Sequence, residues 1–150
     1  MAEKSMDCPR FPEPGAPVRI LVVDDDQDNL LLLNYQLLQL LDCTVISAQD
    51  GQTAISLAQT YVPDLILLDI MLPTMDGLEV ARALKQTSQT EAIPIIAVTA
   101  MARSLDQELA TAAGCDDYVC KPYEMETLLA AIARHLNAPI VLTSPLLEQA

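Results

Sequence analysis

Five short apolar runs punctuate the chain, at residues 19–24, 44–48, 65–69, 95–99 and 118–120. Runs this short, rich in Val, Ile and Leu, read as strands, and the nearly continuous ones need cover on both faces. Between them the apolar spacing lengthens to that of helices. Residues 28–41 carry leucines at 30, 33, 37, 40 and 41; a second helix opens at Asp50 and Gly51 and runs through Gln59, with Pro63 closing the segment. Residues 78–86 are apolar at 78, 81 and 84, and residues 104–113 stop before Gly114, a residue suited to ending a helix. A last helix over 124–136 has one apolar stripe at 125, 128, 129, 132 and 136. Strand and helix therefore alternate five times without a hairpin. Right-handed crossovers turn that order into an α/β fold, a doubly wound five-stranded parallel sheet flanked by five helices.

Residues 1–17 interrupt this regularity with Pro9, Pro12, Pro14, Pro17 and Gly15, and are expected to form a flexible arm. The folded domain then spans 18–137, and the tail at 138–150 is too short for a second domain. Trp is absent and Phe occurs once, so the core must be aliphatic. The 8 basic and 21 acidic side chains give a formal charge of −13. Such a surface repels phosphate backbones and anionic lipid, so direct nucleic-acid or membrane-surface binding is not expected. No apolar stretch suits a signal sequence or a membrane span, which points to the cytoplasm. The cysteines at 8, 43, 115 and 120 form no CxxC pair and are read as reduced thiols rather than zinc ligands. His135, the sole histidine, is read as a helix-end charge or a solvated side chain rather than a phosphorelay histidine.

Four of the runs end on polar residues: Asp24-Asp25-Asp26, Asp69, Thr99 and, just past the last run, Lys121. Doubly wound sheets place their sites outside the carboxyl ends of the strands. Three carboxylates gathered there repel one another, each contact at about 4 Å costing on the order of 4 kcal/mol at an effective dielectric near 20. A hard divalent cation relieves that repulsion, and sparse oxygen ligands suit Mg²⁺ better than Ca²⁺. Lys121 and Thr99 supply an ammonium and a hydroxyl for phosphoryl oxygens. Taken singly, the acidic run also suits a solvated turn or a helix cap, Asp69 a cap, and the other two carry no signal. The conjunction carries the reading.

The strings Ile20-Leu-Val-Val-Asp-Asp-Asp26, Leu65-Ile-Leu-Leu-Asp-Ile-Met-Leu-Pro-Thr-Met-Asp-Gly77, Ile96-Ala-Val-Thr-Ala100 and Gly114-Cys-Asp-Asp-Tyr-Val-Cys-Lys-Pro122 resemble response-regulator receiver domains of two-component signalling, of the CheY-like superfamily. The resemblance covers residues 19–136 and implies a flavodoxin-like strand order 2-1-3-4-5. It implies that Asp69 is the phosphoacceptor, taking a phosphoryl group from a phosphohistidine to form an acyl phosphate. Asp25, Asp69 and the backbone carbonyl of Met71 would ligate Mg²⁺, with Asp24 acting through a bound water and Asp26 only an acidic neighbour. Lys121 would neutralise the phosphoryl group, and the Lys121–Pro122 bond is expected to be cis. Thr99 and Tyr118 would form a switch, Tyr118 filling the space vacated as the Thr99 hydroxyl moves towards the phosphoryl group.

The implied partners are a sensor histidine kinase or a histidine phosphotransfer protein upstream and an unidentified protein target downstream, for a monomer or weak dimer. Two departures matter. Ala131 and Ala133 stand where transcription-factor receivers often carry dimer-forming charges, and Met71 and Met101 cannot orient an attacking water, so a long-lived phosphoryl state is expected. Such a protein promotes only its own phosphorylation and dephosphorylation and is not an enzyme in the ordinary sense. Two alternatives remain open. A haloacid-dehalogenase-like phosphatase also uses an Asp nucleophile with Mg²⁺, although Asp24-Asp25-Asp26-Gln27-Asp28 lacks that family's Thr or Val; a pseudo-receiver adaptor would bind partners without phosphorylation.

Overall fold

Strands β1 (Val18–Val23), β2 (Cys43–Ala48), β3 (Leu65–Leu68), β4 (Ile95–Thr99) and β5 (Asp117–Cys120) pair in parallel, in the order β2-β1-β3-β4-β5. The computed structural model describes residues 17–73, 75–100 and 104–136. The expected arm (apart from Pro17), the tail, Cys8 and Met101 lie outside the described residues. Helices α1 (Gln27–Leu40) and α5 (Met125–His135) cover one face of the sheet; α2 (Gly51–Tyr61), α3 (Gly77–Lys85) and α4 (Ser104–Ala112) cover the other. The doubly wound sheet expected from the alternation is what forms.

Strand periodicity divides the core into two layers. Ile20 and Val22 pack with Leu30, Leu33 and Leu37 of α1 and with Leu128 and Ile132 of α5. Leu21 and Val23 point the other way, against Ala54 and Ala58 of α2 and Val80 and Leu84 of α3. The central strands β3 and β4 are buried at every position, which explains their unbroken apolar runs. Val23 stands level with Ala48 on one side and Leu68 on the other, so the chain leaves β1 and β3 at the same height. The Asp24 N–H donates to the Ala48 carbonyl (3.1 Å) and the Asp69 N–H to the Val23 carbonyl (2.9 Å), extending the ladders by one residue.

Helix ends follow local chemistry. Asp26, Asp50 and Asp76 cap α1, α2 and α3, and Asp76 with Glu79 forms a capping box. Asp26 is thus a helix cap rather than only an acidic neighbour. Gly114, at φ 106°, follows α4 in the left-handed region that its sequence position suggested. Long-range polar ties were not visible in the pattern. Lys85 Nζ donates to the carbonyls of Glu91 (3.2 Å) and Ile93 (2.8 Å) and pairs with Asp116 (3.2 Å). Asp116 also accepts the Ile95 N–H at 2.9 Å.

Asp117, at the start of β5, joins this strand to the end of α5. Its Oδ2 accepts from Arg134 at 2.7 Å and lies 3.0 Å from Nε2 of His135. Burial would raise its pKa, but the Arg134 hydrogen bond, the Tyr118 N–H and His135 outweigh it and hold the carboxyl below its usual range. A lowered folded-state pKa contributes stability above the unfolded pKa and loses it as pH falls through the folded one. Asp117→Asn is therefore expected to flatten the acid limb of the stability curve, read by denaturant unfolding at a series of acid pH values. An unchanged limb would show the tie to be inert.

Candidate functional site

Asp24 and Asp69 use their carboxylates alike. Oδ1 of Asp24 accepts the N–H of Asp26 (2.9 Å), and Oδ1 of Asp69 accepts the N–H of Met71 (2.9 Å). Each is an Asx-type turn, in which the side chain bonds the backbone two residues on. The other oxygen of each meets one ammonium group: Lys121 Nζ lies 3.0 Å from Asp24 Oδ2 and 3.2 Å from Asp69 Oδ2. Asp24 and Asp69 are buried and Asp25 is exposed, yet one carboxylate oxygen from each of the three lies within 4.8 Å of the others. Four of the residues singled out in the sequence are thus brought together.

Burial raises the pKa of Asp69; the Met71 N–H and Lys121 pull it down and Asp24 pushes it up, leaving it above the usual carboxylate range. Burial works the other way on Lys121, but its hydrogen bond to Asp24 and the charges of Asp69 and Asp24 prevail, so the ammonium holds its proton more firmly than usual. The site therefore keeps its cation, while the Asp69 carboxylate bears mainly the cost of burial.

Thr99 ends β4, fully buried, and its carbonyl accepts the Lys121 N–H at 2.8 Å. The Lys121–Pro122 bond is cis, as expected. Tyr118 stands level with Ala97, two residues below Thr99, half-buried against the α2–α4 layer. Met71, two residues after Asp69, is 57% exposed. A cleft of about 460 Å³ adjoins Asp24, Asp69 and Lys121 and continues between Leu32 and Leu33 of α1 and Met125 of α5. Sequence reasoning missed this cleft, because it arises from two helices on one face of the sheet rather than from a local pattern.

The family model for the response regulator receiver domain matches residues 20–133. The chain belongs to that family. Receivers work in two-component phosphorelay signalling and are signalling domains rather than metabolic enzymes. This receiver is 42% identical over 119 residues to the alkaline phosphatase synthesis transcriptional regulatory protein PhoP of Bacillus subtilis, covering 77% of this chain and 48% of PhoP. It is 36% identical over 121 residues to the polar-differentiation response regulator DivK of Brucella anthropi, covering 81% of this chain and 98% of DivK. The chain thus spans about half of one relative and nearly all of the other. Among solved structures it is similar to the receiver domain of the sensor histidine kinase PA1611 from Pseudomonas aeruginosa PAO1, which holds a magnesium ion in its active-site cleft. That likeness has a TM-score of 0.75 at 32% identity, over 82% of this chain and all of the other. Among the described residues no helix is long and apolar enough to cross a membrane.

Gly77 supports the site from behind. A Cβ there would sit 2.5 Å from the carbonyl oxygen of Asp69 and 2.5 Å from Cα of Ile70, and the Gly77 N–H donates to the Ile70 carbonyl at 2.9 Å. Backbone atoms of a central strand end cannot swing aside as a side chain can. Gly77→Ala is expected to destabilise the receiver by about 1–3 kcal/mol through overpacking and to slow phosphorylation by displacing Asp69. Denaturant unfolding and the rate of adduct formation check the two effects separately.

Proposed function

We propose that Asp69 accepts a phosphoryl group from a phosphohistidine on a sensor histidine kinase or histidine phosphotransfer protein. The supporting observation is the clustering of the Asp24, Asp25 and Asp69 carboxylates within 4.8 Å, with the Lys121 ammonium bridging two of them. In the transfer an Asp69 oxygen forms a bond to phosphorus as the phosphorus–nitrogen bond to the donor breaks. The electron pair leaves with the imidazole, and Asp69 becomes an acyl phosphate. Lys121 offers its ammonium to the oxygens of the arriving group, and the Thr99 hydroxyl offers them a hydrogen bond.

The acidic set suits a hard divalent cation: the oxygens are close, hard and mutually repelling, and Lys121 compensates only part of their charge. Asp25, Asp69 and the Met71 carbonyl would hold Mg²⁺, with Asp24 reached through water. When bound, the ion offsets carboxylate repulsion and withdraws charge from phosphoryl oxygens.

The phosphorylated state then favours one of two arrangements of Thr99 and Tyr118, altering the face of α4, β5 and α5 that a downstream protein reads. The exposed thioether of Met71 is a poor partner for an attacking water, consistent with a long-lived phosphoryl group. The protein on this reading acts in the cytoplasm, where ATP charges such donors, and turns over no independent metabolite. Incubation with Mg²⁺ and acetyl phosphate should yield a single hydroxylamine-labile adduct at Asp69. No adduct with an active donor, or one at another residue, would overturn the assignment.

A further inference from the structure

The cleft beside Asp69 is larger than phosphoryl transfer uses. Its floor is made by Val22, Leu67 and Val98, three strand side chains of the α1–α5 layer, and its walls by Leu33 of α1 and Met125 of α5. Leu32, also lining it, is 59% exposed. Gln36 and Tyr123 add an amide and a phenol to this apolar trough. At about 460 Å³ the cleft falls within the roughly 300–1,000 Å³ of small-molecule sites, and it has their make-up of apolar walls with a few polar groups. Its charged end is not neutral. Among the described residues Lys121 is the one basic residue lining it, and its ammonium faces both Asp24 and Asp69. The Asp25 carboxylate comes within 4.8 Å of theirs, so three acids against one ammonium leave a negative excess at the head of the trough.

We propose that this cleft binds a small amphipathic cation, a primary amine on an apolar chain, with the ammonium among the three carboxylates and the chain between α1 and α5. The cleft selects both halves of that molecule. An ammonium donates hydrogen bonds to carboxylate oxygens and offsets the repulsion that Lys121 leaves uncompensated. The trough favours an apolar body, because a polar one would be left with unpaired groups against Val22, Leu67 and Val98. A fatty acid or a nucleotide has the wrong sign, and the formal charge of −13 opposes its approach. A bare inorganic cation satisfies the charged end alone. The ammonium would stand where the proposed Mg²⁺ stands, so the two exclude one another and an occupied cleft holds the receiver unphosphorylated. Binding itself does not require Asp69 to be the phosphoacceptor, since it rests on the placement of charge and apolar surface.

The probe is n-octylamine, titrated into the full chain without metal and followed by amide and methyl chemical shifts. Saturable binding at one site is expected, with shifts centred on Leu33, Tyr123 and Met125. Shortening the chain towards butylamine should weaken binding by up to roughly fourfold per methylene. Octanoate, with an apolar chain of similar length and the opposite charge, should not bind, and Mg²⁺ should displace octylamine. Leu32→Lys places a like charge at the cleft and Met125→Gln puts an amide on its wall. Each should weaken octylamine binding roughly three- to tenfold while acetyl-phosphate labelling stays as in the parent. Octanoate binding as tightly as octylamine, or butylamine binding as tightly, would overturn the proposal. So would octylamine spread over many acidic surface positions, or bound with undiminished affinity in both variants. If octylamine binds as expected and no adduct forms at Asp69, this inference stands and the phosphoacceptor assignment alone falls.

Discussion

Asp69→Asn is expected to abolish the acyl-phosphate adduct entirely while leaving the unphosphorylated protein at least as stable as its parent at neutral pH. The first effect follows from chemistry, because an amide oxygen is too weak a nucleophile to displace a phosphoryl group. The second follows from environment. Burial leaves the Asp69 pKa raised even after Lys121 and the Met71 N–H are counted, so folding costs the charged form more than the neutral one. A raised carboxyl pKa means that stability grows as pH falls through it and shrinks as pH rises. Asn removes the charge, keeps an acceptor for the Met71 N–H, and leaves Lys121 paired with Asp24 at 3.0 Å. Mass analysis after acetyl phosphate treatment checks the first effect and thermal unfolding at neutral pH the second. An adduct on the Asn variant would show that phosphorus lands elsewhere. A marked loss of stability would show that the Asp69–Lys121 attraction outweighs desolvation.

The fold was legible because burial wrote it into local spacing. The β3 and β4 runs could stay unbroken only as strands covered on both faces, and they are buried at every position. Element boundaries moved by a residue or so where a cap decided them. The third helix begins at Gly77 rather than Leu78 because Asp76, not Gly77, caps it. The site was legible for a related reason: parallel strands deliver their last residues to one edge, so Asp24, Asp69 and Lys121 could be grouped before any distance was known. What escaped the sequence was contact between residues far apart in the chain with no periodicity to betray it. Lys85 meets Asp116 across 31 positions. His135, expected to be a helix-end charge or a solvated side chain, shares Asp117 with Arg134. Neither partner could be named from composition, because any acid near the end of a strand would have served as well.

Lys121→Met should move two measurements in opposite directions. The ammonium lies 3.0 and 3.2 Å from the inner oxygens of Asp24 and Asp69, whose side chains are only 10% exposed, so its removal leaves two crowded carboxylates without a counter-charge. Breaking a fully buried pair costs about 3–5 kcal/mol. Lys121 is itself 26% exposed and the loss should be smaller, but still visible as a lower melting temperature without metal. Added Mg²⁺ should then restore more stability than it adds to the parent, since the ion no longer shares the carboxylates with a fixed cation; at tenfold over its dissociation constant the gain is about 1.4 kcal/mol. Phosphorylation should fall roughly a hundredfold or more, the usual consequence of deleting a group aimed at developing charge. If metal response and phosphorylation fell together, Lys121 would be holding the acidic set in shape rather than contacting phosphorus. If phosphorylation were undiminished, the ammonium would serve only to separate the carboxylates, and stabilisation of the transferring group would have to come from Thr99 and the metal alone.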